Sequence, residues 1–125
     1  MEERSRIYEN TAYRLMMDNF YNQSVVCYYY SVLQWMMYIL AERVVAPVSY
    51  VEQAPMGEDK HHWLCEEIKG RISNPNYRNQ FSEAFEKLRE CRLEADYETK
   101  QFTKDECVVV RELALRVKSL IRYAR

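Results

Sequence analysis

Residues 77–97 read YRNQFSEAFEKLRECRLEADY, and their periodicity decides the fold. Tyr77, Phe81, Ala84, Phe85, Leu88, Cys91 and Ala95 recur at the 3.6-residue spacing of one helix face over about five turns. The segment SNPN at 73–76 is turn chemistry and supplies a start for this helix. Arg92 lies four residues after Leu88, on the edge of the apolar stripe, with Asp96 one turn further on and Tyr97 next in the chain. An arginine in such a place must be solvated, paired or offered to a ligand, because an unpaired buried charge is too costly.

Working outward, other helices follow. Ile7, Ala12, Leu15, Met16 and Phe20 predict a first helix over roughly residues 3 to 20. Asn22 is placed to cap a second helix running to about Arg43, which Pro47 ends. Residues 44–57, with two prolines and a glycine, read as a connection. A shorter helix is expected near 58–70, with Gly70 closing it. After the clearest helix, TKDE at 103–106 is a capping box in which Thr103 and Glu106 each satisfy an exposed backbone N–H. The final helix carries Val109, Val110, Leu113, Val117, Leu120 and Ile121. These elements and their short loops imply an all-α chain, an up-and-down four-helix bundle with a short additional helix.

Composition agrees. A chain of 125 residues is long enough for one core, so 1–125 is read as a single domain. Two glycines and three prolines are too few to punctuate an all-β chain. The formal net charge of −1 gives no global field for nucleic acid. From Arg111 onward five Lys/Arg face only Glu112. A solvated face that complements the helix dipole explains this tail better than a phosphate-binding surface.

Cys27, Cys65, Cys91 and Cys107 lack CxxC or CxH spacing, so zinc is not expected. They read as small buried thiols in a reducing cytoplasm. From Asn19 to Ala41 no residue is charged. Length permits a membrane span, but Asn19, Asn22, Gln23, Ser24, Gln34 and a tyrosine triplet interrupt it. The centre of a helical bundle suits this segment better, with excess apolar surface left for a second copy of the chain.

Arg92 and Asp96, at i and i+4, are able to meet. The ordinary explanation is an ion pair that contributes under about 1 kcal/mol when exposed. The functional alternative is a guanidinium fork, oriented by a carboxylate and offered to phosphate, with Tyr97 adding a hydroxyl and an aromatic face. His61 and His62 are adjacent and so diverge on a helix, without the i, i+4 spacing of a one-helix metal site. Tyr28, Tyr29 and Tyr30, with Trp35, Met36 and Met37, read as core and interface. No Gly-rich phosphate loop and no Ser/His/Asp arrangement is readable.

VVCYYYSVLQWMMYIL, a histidine opening a short third helix, LRECRLEADYE and a capped final helix together resemble the HEPN domain family. Arg92, Ala95, Asp96 and Tyr97 carry the family's Arg, two residues, Ala-Asp-Tyr element, and the resemblance extends from about Tyr13 onward. It implies an all-α bundle that dimerises and, in many members, a metal-independent ribonuclease toxin paired with a nucleotidyltransferase antitoxin. The family's catalytic arginine is followed four to six residues later by a histidine. No histidine follows Arg92 here, and Tyr97 stands in its place. A tyrosine with an ordinary pKa near 10 is a poor base at neutral pH. The expectation is therefore a cytoplasmic, homodimeric, cofactor-free accessory module that binds a nucleotide or RNA phosphate through Arg92, Asp96 and Tyr97, with no confident catalytic residue. Two alternatives stand beside it: a ribonuclease toxin using Arg92 with a non-histidine partner, and a purely structural dimer.

Overall fold

The computed structural model describes residues 2–54, 59–97 and 99–125. Among them the chain is all-helical, with α1 at Glu2–Met17, α2 at Tyr21–Glu42, α3 at Tyr50–Gln53, α4 at Lys60–Arg71, α5 at Pro75–Asp96 and α6 at Lys104–Ile121. Local chemistry sets the ends of the last two. Asn74 caps α5 by accepting from the N–H groups of Asn76 and Tyr77, while Pro75 needs no donor at the first position. Thr103 and Glu106 form the expected capping box of α6.

α2 is the hub and packs on α1, α4, α5 and α6. Two buried hydroxyls tie it to an antiparallel α1: Ser24 Oγ donates to Ala12 O and Ser5 Oγ donates to Ser31 O, both at 2.6 Å. On its other side Tyr29 stacks on Phe85 at 5.9 Å and Phe85 on Phe81 at 6.0 Å. These rings join α2 to α5 in one continuous core with Met36, Leu40, Leu64, Ile68, Leu88 and Ile121. The chain after α6 is fastened down as well. Tyr123 stacks on Tyr77 at 4.0 Å, Ala124 pairs with Ile72, and Arg125 N–H donates to Arg71 O at 3.1 Å.

Several expectations are corrected. α1 ends at Met17 because Asn19 turns the chain with a left-handed φ of 69°. Asparagine tolerates that conformation better than other non-glycine residues. Asn22 does not cap α2, whose N-cap is Phe20 with no side-chain bond. Its amide instead donates to Lys100 O at 2.8 Å and Ala95 O at 3.3 Å, and its Oδ1 accepts from Phe102 N–H at 2.9 Å. Asn22 thus holds the α5–α6 link against α2.

The stretch read as a bare connection contains α3, opened by a Ser49/Glu52 capping box. Gln53 is buried there and donates through Nε2 to Met37 O and Val48 O. Residues 55–58, the rest of that connection and the expected start of the next helix, lie outside the described residues. Gly70 sits inside α4 rather than closing it, since the helix continues to Arg71. Ile7 and Val109, expected to face inward, are both exposed.

By length and composition α2 is apolar enough to cross a membrane, and 61% of its apolar window is buried within this chain. All four cysteines are free thiols. Burial raises the pKa of each, that of Cys65 to about 12, which keeps them protonated.

Candidate functional site

The last two turns of α5 carry Arg92 alongside the middle of α2. Its side chain is 16% exposed. Nη2 forms an ion pair with Asp96 Oδ2 at 2.9 Å and donates a hydrogen bond to the Tyr30 hydroxyl at 3.1 Å, so the expected i, i+4 pair forms. The guanidinium carbon lies 5.7 Å from the Tyr29 ring centroid and 5.6 Å from that of Tyr30, within cation–π range of both. Among the described residues Nε is buried without a partner. Among the described residues Nη1 also has no hydrogen bond, so the fork is held from one nitrogen only.

Tyr97 does not join this group. Its ring is 72% exposed and shares neither a hydrogen bond nor a ring contact with Arg92. It is the C-cap of α5 and serves the helix end through its backbone N–H, which donates to Leu93 O. Of the three residues singled out in the sequence, Arg92 and Asp96 meet and Tyr97 stands apart.

A histidine takes part instead. His61, in the first turn of α4, lies with Nδ1 3.0 Å from the Tyr29 hydroxyl. Its ring is tilted against Tyr29 at 5.5 Å and set edgewise to Tyr30 at 6.3 Å. Tyr29 is fully buried, and its hydroxyl needs an acceptor for its proton. Nδ1 is its partner among the described residues, so the hydroxyl donates there and a neutral imidazole carries its own proton on Nε2. Burial lowers the His61 pKa from its ordinary 6.5, and the nearby Arg92, Arg89 and Lys60 cations add to the effect. Burial likewise holds Tyr29 protonated.

The result is an Arg92–Tyr30–Tyr29–His61 cluster drawn from three helices, with Asp96 at its outer edge. A groove of about 290 Å³ opens beside it, lined by Asn22, Gln23, Val26, Cys27, Ala95 and Asp96. Asp96 therefore faces the groove, and Arg92 stands behind it. Arg92 itself does not line the groove, and a phosphate approaching it from this side competes with the Asp96 carboxylate. In chemical terms the arrangement offers a partly covered cation, a removable anion and a neutral imidazole.

The basic tail makes no comparable cluster. Lys118 pairs with Glu9 at 2.9 Å, Arg111 lies over Tyr13 at 5.4 Å and Arg122 over Tyr123 at 4.9 Å. No family model, curated protein or solved structure matches this chain.

Proposed function

We propose that this chain is a HEPN-like, up-and-down four-helix-bundle protein that acts as a homodimeric, cytoplasmic accessory module and binds a nucleotide or RNA phosphate at Arg92. The observation that carries this reading is a guanidinium bonded, among the described residues, through Nη2 alone, with Nε buried and unpartnered there, backed by two tyrosine rings and paired with a single carboxylate. Asp96 acts as an internal stand-in for the ligand, holding Arg92 extended until a phosphate replaces it. Exposed Met17 and Phe20 supply apolar surface for a second copy of the chain.

Binding of short single-stranded RNA, followed by fluorescence anisotropy, tests this reading. Arg92→Ala is expected to weaken binding at least about tenfold, the loss of one charge-assisted contact. Asp96→Asn is expected to strengthen it, because the competing anion is gone. A purely structural pair gives the opposite pattern: both variants melt earlier, and neither changes RNA binding. Light scattering that returns a monomer at micromolar concentration removes the dimer from the proposal.

A specific observation favours a second reading, a ribonuclease toxin paired with a nucleotidyltransferase. His61 supplies the imidazole that the sequence after Arg92 lacks, and its Nδ1 accepts a proton from a ribose hydroxyl once that hydroxyl replaces the Tyr29 hydroxyl as its partner. In this reading Arg92 holds the phosphate and Tyr97 takes no part. RNA cleavage that is lost in both Arg92→Ala and His61→Gln supports it, and intact RNA after incubation with wild-type protein rejects it.

A further inference from the structure

A second, larger cavity lies away from the Arg92 cluster. It measures about 400 Å³ and opens between the first turn of α1, the last turns of α2 and the end of α6. Its size falls within the range of small-molecule sites. Tyr38 is eight residues beyond Tyr30 on α2, about 12 Å along the helix axis, so the two sites are distinct.

The walls divide by chemistry. Ile39, Ile121 and Ala124 are buried core residues that give an apolar floor. Trp35 and Tyr38, half-buried on neighbouring turns with ring centroids 5.2 Å apart, form an aromatic wall. Arg43 and Arg122 reach the cavity from α2 and α6. The Arg122 guanidinium is anchored by its bond to the Tyr123 hydroxyl at 2.9 Å and by that residue's ring. The Arg43 side chain has no ion pair or hydrogen bond among the described residues. Among the described residues Glu2 is the one carboxylate lining this cavity, and it leans toward Arg6 at 4.0 Å.

We infer that this cavity binds a small molecule joining a flat heteroaromatic ring to a phosphate, of the nucleoside monophosphate class. The ring stacks on Trp35 and Tyr38 over the apolar floor, as bases do on aromatic side chains. The phosphate is held by Arg43 and Arg122 together, a pair of guanidinium forks approaching from different helices. A ligand lacking either half loses one wall of the site, so neither a free nucleoside nor inorganic phosphate binds as well.

The two tryptophans of the chain are Trp35 and Trp63. In a Trp63→Phe protein the indole of Trp35 is the sole reporter. Titration of this protein with adenosine monophosphate is expected to give saturable fluorescence quenching. Adenosine and inorganic phosphate are each expected to bind at least about tenfold more weakly, consistent with separate stacking and charge contacts. Arg43→Ala and Arg122→Ala, introduced into the same background and checked by far-ultraviolet circular dichroism, are each expected to weaken binding about tenfold. Arg92→Ala in that background is expected to leave the titration unchanged, which separates this site from the proposed phosphate site on α5. The inference is overturned by an absence of saturable quenching at millimolar nucleotide, by adenosine binding as tightly as its monophosphate, or by arginine variants that bind like their parent.

Discussion

His61 shows how one side chain changes meaning once its neighbours are known. Its pKa is lowered first by burial and then by Arg92, Arg89 and Lys60, so the folded protein binds this proton less readily than the unfolded chain does. The stabilising contribution is therefore full above the ordinary value of 6.5 and is lost as pH falls from there toward the depressed folded value. Denaturation at pH 7 and pH 5 is expected to show a larger loss of stability for wild type than for His61→Gln. Equal losses would mean that the imidazole titrates as it does in the unfolded chain. Tyr97 teaches the converse. Five residues on a helix turn it about 140° from Arg92, so the helical period alone argues against their meeting. Adjacency to Asp96 in the sequence had suggested a contact that the geometry does not make.

At the scale of the element, the helices with local signals were legible. The capping box of α6 and the apolar period of α5 are properties of neighbouring residues, and both appear as read. Asn22 was misread because its partners, Ala95, Lys100 and Phe102, lie more than seventy residues away and leave no local trace. His61 escaped for a related reason: its place beside Arg92 depends on how α4 packs against α2 and α5, which no spacing within α4 records. Asn22→Ala leaves those backbone groups of the α5–α6 link without their partner and is expected to cost about 2 kcal/mol in urea denaturation. Gly70 gives a test of opposite sign. A Cβ built there meets nothing within 4 Å, and the residue is helical and exposed. Gly70→Ala is expected to raise stability by about 0.5–1 kcal/mol. A loss instead would show that α4 frays before that residue.

For the whole molecule, the sequence made the all-α class plain because the apolar stripes of α1, α5 and α6 needed a common core, and α2 is apolar enough to provide it. The burial of Tyr28, Tyr29, Met36 and Leu40 together with α5 and α6 residues leaves one continuous cluster rather than two. Such a core unfolds as a unit in small domains. Helix content followed by circular dichroism and the fluorescence of Trp35 and Trp63 are expected to report the same thermal midpoint. Separate midpoints would show that α4, which carries Trp63, detaches before the rest.

The stitching of residues 123–125 bears on how the protein is handled at the bench. A fluorescent fusion joined directly after Arg125 would emerge from a packed corner, where any pull is transmitted through the Ala124–Ile72 bridge to the junction of α4 and α5. A flexible spacer of several residues supplies the slack that the pinned residues 123–125 do not.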